Sequence, residues 1–427
     1  MQPTLTCPPY LHPLLALFES HGQKAYPVGG CVRDTLMGIA PHDWDVAVTT
    51  APDDTVALCK AAGYRTIPTG LQHGTVTVLV PHSGVPTDRE GPYDLIECTT
   101  CRTEGGYSDG RHPDAVSFTG RIEDDLSRRD FTVNAMAFTV NAPTSTPMDH
   151  GFAVLDLFGG REDLQNRIIR AVGDPDTRFT EDALRLLRAV RFAVKLGFEL
   201  EANTYAAMTR RADGLARISR ERISDEFQKI LVSPEPERGI ALLTHTGLLP
   251  YVLPAGVSLP CIRGVSALPG QFTLRMACLQ WGLEDRQVEQ NLAGLRLPNT
   301  VRKDILAILR SADADVTATP CNARRWRATL GELALPALAV RRAAESADPD
   351  EIDALASLVA ASAERGDPVR IADLAINGND LIALGFEKGR ILQDVLYRLL
   401  TLVWESPEKN TREELISLIK EAQKGEN

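Results

Sequence analysis

Residues 29–48 read GGCVRDTLMGIAPHDWDVAV, and their types and spacing could handle a phosphate. In an extended strand side chains alternate between faces, so Asp43 and Asp45 would look one way and Trp44 and Val46 the other. Two carboxylates that close repel each other unless a cation lies between them. A pair of Mg²⁺ ions with a substrate phosphate meets that need, because carboxylate oxygens are hard ligands for a hard ion. The pattern predicts Asp43 and Asp45 as metal ligands in a two-metal geometry for in-line attack at phosphorus. Just upstream, Gly29 and Gly30 permit a tight turn whose N–H groups can approach a triphosphate, and Arg33 can add charge-assisted hydrogen bonds to it.

A second cluster lies in EDALRLLRAVRFAVKLGF, residues 181–198, whose apolar spacing predicts one helix with Thr180 as its N-cap. Asp182 and Arg185 stand at i and i+3 and would form one edge. Adenine and cytosine each present an amino donor beside a ring-nitrogen acceptor, which a carboxylate and a guanidinium complement. Guanine and uracil invert that order and would leave polar groups unmatched, at about 1–3 kcal/mol each. The pair therefore predicts selection of ATP and CTP without a template. Arg188 and Arg191 extend the row at steps of three, toward the space for a triphosphate.

These residues need a framework. YPVGG, DWDVAVTT, TVTVLV, DLIECTT, AVSFTG and MAFTV are short β-rich stretches within the first ~150 residues. From about residue 160 the spacing turns helical. The expected class is α+β: a small mixed-sheet head followed by an elongated all-α neck, body and tail. Clusters of Pro, Ser and acids set the expected boundaries, giving a head over 1–150, a neck over 151–235, a body over 236–345 and a tail over 346–427.

In this order the motifs resemble the DNA polymerase β nucleotidyltransferase superfamily, and within it the class II tRNA nucleotidyltransferases and bacterial poly(A) polymerases. The superfamily's third metal-binding carboxylate implies Glu97 in IECTTCR, with Asp94 as the competing candidate. DLSRRDFTVNAMA (125–137) resembles the family's ribose- and phosphate-holding motif, and so implies nucleotide binding by Arg128, Arg129 and Asp130. DLFGG (156–160) resembles its hinge, and 181–198 its base-reading helix. ERISDEFQKIL, INGNDLIALGFEKGRILQDVL and PEKNTREELI continue the likeness to the C-terminal end. The last two resemble CCA-adding enzymes of the Gram-positive type. The resemblance implies addition of C, C and A to a tRNA 3′ end from CTP and ATP, with helices clasping the acceptor stem and TΨC arm. Poly(A) tailing and addition of A alone are the alternatives. Residues 103–118 form a full-length loop carrying Gly105, Gly106 and Gly110, a length associated in the family with A addition.

Composition sets outer limits. At 427 residues and a net charge of −11, the chain is not a protein that coats nucleic acid indiscriminately, yet residues 161–230 hold 14 basic against 12 acidic residues. The eight cysteines show no zinc-ligand spacing and are expected to be reduced. With no membrane-length apolar run, a cytoplasmic monomer or homodimer is expected. Cys31 and Cys101 stand where the family suggests an aliphatic residue and a phenylalanine, and VPHSGVPTDREGPYD is longer than usual, which could shift the register of Glu97.

Overall fold

The computed structural model describes residues 7–82, 92–105, 115–140, 152–345 and 347–425. Most of the insertion before Glu97, the loop positions Gly106 and Gly110 and the boundary at 143–150 lie outside the described residues. The chain divides into two compact units, Met1–Ile230 with Ala241–Val252, and Leu231–Ile240 with Leu253–Asn427.

The first unit is built on a five-stranded mixed sheet. Its strands are β1 (Ala25–Pro27), β2 (Asp45–Val48), β3 (Arg65–Gly70), β4 (Thr75–Pro81) and β5 (Tyr93–Thr100), in the spatial order β1-β2-β5-β4-β3. Only β2 and β5 run parallel. Two ribbons follow, β6 (Arg102–Gly105) with β7 (Ala115–Phe118), and β8 (Met136–Val140) with β9 (Phe152–Asp156). The β-rich stretches of the sequence correspond to β1, β2, β4, β5, β7 and β8. Periodicity hides β3, β6 and β9; in β3, RTIPTG, the reason is that it is the exposed edge of the sheet, where a proline costs no ladder bond and no alternation is required.

Apolar burial fixes the centre of this sheet. Val46, Val48, Val76, Val78, Val80, Ile96 and Cys98 pack in one core with Leu14 and Phe18 of α1 (His12–Ser20). On the other side, Ala47 joins Val28, Cys101 and Ala137 under Ile122 and Leu126 of α4 (Ile122–Ser127). Thus β2 is buried on both faces beyond Asp45, and each fully buried aliphatic side chain contributes about 1.5–3 kcal/mol. Between these elements come α2 (Gly30–Leu36) and α3 (Pro52–Ala61); after the ribbons come α5 (Gly160–Asn166), α6 (Pro175–Glu181), α7 (Leu184–Leu196), α8 (Ala202–Arg210) and α9 (Arg220–Leu231).

One expectation is corrected here. Residues 181–198 do not form a single capped helix: Thr180 lies inside α6, its hydroxyl donating to the Asp176 carbonyl at 2.8 Å. The chain breaks at Asp182, whose backbone is extended (φ −138°, ψ 102°) and whose Oδ1 accepts the Leu184 N–H at 3.0 Å. An aspartate that binds its own downstream N–H offers the backbone an alternative to the helix.

The second unit is helical. Its helices include Phe272–Gln280, Asn299–Arg310, Pro320–Leu330, Pro349–Glu364 and Arg390–Glu405. A C-terminal core gathers Leu381, Leu399, Leu400, Val403, Trp404 and Leu415. Arg324 and Asp367 form a buried ion pair at 2.7 Å. All eight cysteines are free, and seven are buried, Cys31 and Cys101 among them. Among the described residues no helix is long and apolar enough to cross a membrane.

Candidate active site

The sheet register brings the acids together. Asp45 opens β2 directly opposite Glu97 on β5, and both are exposed while Val46, Ile96 and Cys98 are buried. Asp94 is an odd number of residues from Glu97, so it belongs to the other face, where it pairs with His82 at 3.2 Å. The long insertion therefore leaves Glu97 in register with Asp45. Asp43 precedes the strand. It keeps the alternation, exposed beside buried Trp44, but its carboxylate bonds His42 at 2.8 Å. Although the Asp45 side chain reaches solvent, protein packed around its carboxyl desolvates it, and this, with the Glu97 and Asp43 charges, pushes it above the ordinary carboxylate range against the pull of Arg129.

Asp45 borders a cavity of about 480 Å³ that Gly29, Gly30, Arg33, Arg128, Arg129, Asp130, Asp182, Arg185 and Arg188 also line. Gly29 turns the chain from β1 into α2 with φ +77°, a left-handed conformation that side chains resist. A Cβ there would stand 2.7 Å from Arg129 Nη1. One turn into α2, Arg33 is 4% exposed, its Nε donating to Asp34 at 2.8 Å and its Nη1 to Asn134 Oδ1 at 2.6 Å.

Arg128 and Arg129 both rest on Asp125 of α4, with Nη2 to carboxylate distances of 2.5 and 3.0 Å. Burial would raise the Asp125 carboxyl, but Arg129 and Arg128 outweigh it and hold the group below its usual value. Asp130 is committed inside the protein. It accepts the Phe131 N–H at 2.8 Å and Asn134 Nδ2 at 3.3 Å, and pairs with Arg188 at 2.5 Å. Burial would raise its carboxyl, but Arg188 above all holds it below the ordinary range.

Asp182 and Arg185 both face the cavity, but they do not pair with each other. Asp182 Oδ2 accepts Arg222 Nη2 of α9 at 3.1 Å. Arg185 donates to Glu181 at 2.7 Å, to the Arg128 carbonyl at 2.9 Å and to the Arg178 carbonyl at 3.2 Å. Each group is thereby held by neighbours on another element and remains available at the wall.

Arg191 departs from the expected row. It does not line the cavity and instead pairs with Glu226 at 2.9 Å. Steps of three on a helix turning about 100° per residue slip backwards by about 60° each, so the residue that shares the face of Arg185 and Arg188 is Phe192, at i+7 and i+4. Sequence reasoning also missed Asn134, Leu184 and Arg222 on the wall, and Asp125 beneath Arg128 and Arg129. The signal for Asp125 was present in its i, i+3 and i, i+4 spacing to those arginines; nothing local marks Arg222.

A cavity lined by the Gly29–Gly30 backbone, by six arginines and by Asp45, Asp130 and Asp182 suits a polyanion held beside an acid-bound cation; Asp43 and Glu97 are not on its wall. Among the described residues no three His, Cys, Asp or Glu side chains already converge as a cage. The donors on offer are oxygen only, Asp45 with Glu97 in register and Asp43 two residues away. Their mutual repulsion and the oxygen chemistry fit a divalent hard cation.

Known proteins resemble this chain along nearly its whole length. A model described as the poly(A) polymerase head domain matches residues 25–170, and one of tRNA nucleotidyltransferase domain 2 matches residues 273–419. The CCA-adding enzyme of Limosilactobacillus fermentum is 34% identical over 416 residues, covering 95% of this chain and 94% of that one. That of Geobacillus kaustophilus is 34% identical over 417 residues, covering 96% and 95%. The crystal structure of the Bacillus stearothermophilus CCA-adding enzyme in complex with CTP superposes with a TM-score of 0.77 at 32% identity, over 98% of this chain and 99% of that one.

Proposed function

The chain belongs to the family of CCA-adding enzymes, and from that premise we propose that it adds CMP, CMP and then AMP to the 3′ end of tRNA, using CTP and ATP and releasing pyrophosphate. The carrying observation is the single cavity wall on which Asp45, the Gly29–Gly30 turn and the Asp182/Arg185 pair meet.

The triphosphate lies against the N–H groups of the Gly29–Gly30 turn and the guanidiniums of Arg33, Arg128, Arg129 and Arg188. Asp125 is shared by two arginines and Glu181 by two, Arg178 and Arg185, so the wall carries positive charge in excess of its local acids. Asp182 accepts from the exocyclic amine of cytosine or adenine while Arg185 donates to the adjoining ring nitrogen. Asp43, Asp45 and Glu97 would hold two Mg²⁺ ions, which when bound acidify the primer 3′-hydroxyl and neutralise the leaving pyrophosphate. Asp130 keeps Arg188 aimed at the phosphates rather than touching nucleotide itself. The second unit, which matches the tRNA nucleotidyltransferase model, is the part assigned to the acceptor stem and TΨC arm, read through the backbone of A-form RNA. This work takes place in the cytoplasm, by a monomer or a homodimer.

The test is incubation of tRNA lacking its last three nucleotides with labelled CTP, ATP or both. Growth by three nucleotides that requires both substrates supports the reading; an A tail without limit would assign poly(A) polymerase activity instead. Asp45→Ala is expected to lower incorporation by at least about a thousandfold. Retention of wild-type incorporation by that variant would remove the metal assignment.

A further inference from the structure

Phe192 stands among three positive charges. The guanidinium carbons of Arg191, Arg33 and Arg188 lie 4.5, 5.4 and 5.5 Å from its ring centroid, all within cation–π range. Two of them, Arg33 and Arg188, line the cavity with Phe192 itself. Arg191 lies behind them, and its Nε is buried without a hydrogen-bond partner. The ring's own tilt is set by Phe131, which meets it edge-on at 5.8 Å and 76°. Phe131 follows Asp130 directly, and its N–H bonds the same carboxylate that grips Arg188. Two consecutive residues, 130 and 131, thus fix Arg188 and Phe192 one turn apart on α7.

We propose that Phe192 is a positioning residue for the triphosphate: its ring serves as the uncharged counter-surface that holds Arg33 and Arg188 at the cavity wall, with Arg191 as backing charge. The inference rests on reading the cavity as the nucleotide site. A ring suits this task better than a carboxylate. Arg33 and Arg188 already pair with Asp34 and Asp130; a further acid would cancel what charge they still offer and repel the incoming phosphates, whereas a quadrupole attracts the cations without adding negative charge. Because Phe192 touches Arg33 and Arg188, which are assigned to the phosphates, while Asp182 and Arg185 are assigned to the base, its effect should be independent of the base.

The experiment compares Phe192→Leu, Phe192→Met and Phe192→Tyr in the full-length chain. KM and kcat are measured for CTP and ATP, and inorganic tripolyphosphate binding is measured by calorimetry. The Leu and Met variants are expected to raise KM for both nucleotides by the same factor, roughly five- to tenfold, between the scales of an exposed and a fully desolvated cation–π contact. Tripolyphosphate binding should weaken in parallel, kcat should change by much less, and Tyr should restore both constants. Met supplies similar volume without a ring, so it decides the matter if Leu fails to fold. Unchanged KM in Leu or Met, a loss confined to one nucleotide, or Tyr as poor as Leu would overturn the proposal. Tripolyphosphate binding needs no transfer step, so a wild-type chain inactive in CMP addition would count against the activity while the variants' binding ratios still decided the role of Phe192.

Discussion

At the scale of single residues, the candidate site is a set of shared charges. Asp182 and Arg185 are each held by a partner outside their own helix turn, Arg222 for one and the Arg128 carbonyl for the other. On the proposed base-reading role of this pair, selectivity would depend on groups that never meet the base. Arg185→Ala is expected to cut the preference for CTP over UTP by about ten- to a hundredfold, as read by competition in a single-nucleotide extension, because an unmatched polar edge costs about 1–3 kcal/mol. Arg222→Ala should move the same ratio in the same direction by a smaller factor, since the Leu184 N–H still holds one oxygen of Asp182. An unchanged CTP/UTP ratio in Arg222→Ala would show that this backbone bond alone orients the carboxylate.

At the scale of elements, close backbone approach positions the wall. The first residue of α5, Gly160, sits against the 3₁₀ turn Thr132–Asn134, and a Cβ there would lie 2.3 Å from the Thr132 carbonyl oxygen. That turn carries Asn134, which holds Arg33. Gly160→Ala must push the turn away. The expected result is a loss of about 2 kcal/mol in unfolding free energy by denaturant titration, with a raised KM for both nucleotides through the displaced Arg33. The α6–α7 break has a comparable role: it points Asp182 out of the helical direction, so that the carboxylate and Arg185 reach the wall from different backbone conformations.

At the scale of the whole molecule, most described residues beyond 160 are helical, and their stability rests partly on buried ion pairs. Burial opposes ionisation of Asp367, but hydrogen bonds from Arg365 and Arg324 overcome it and lower its carboxyl to about 2, against 3.8 in the unfolded chain. A depressed folded-state value means that the stabilisation is complete above pH ~4 and is lost as pH falls through ~2. Asp367→Asn is expected to cost about 3 kcal/mol at pH 7, because Arg324 is left buried without its partner. The gap between wild type and variant should narrow as denaturant midpoints are followed from pH 5 down to pH 3. A gap that stays constant over that range would mean that the carboxylate's charge is not what stabilises the unit.

The sequence by itself determined which residues the candidate site is built from. The Gly-Gly turn, the alternating aspartates, the arginine-rich helix and the apolar strands are local patterns whose periods of 2 and 3.6 can be read without a partner. It also determined the change from sheet to helix near residue 160. Tertiary structure decided which neighbours complete each group. Register, a pairing between strands some fifty residues apart, set Glu97 rather than Asp94 opposite Asp45. The break at Asp182 and the helical rotation replaced Arg191 by Phe192 on the wall, and α9 supplied Arg222 from forty residues away. Such choices depend on how separate elements pack, and that information lies in no stretch of the chain short enough to carry a period.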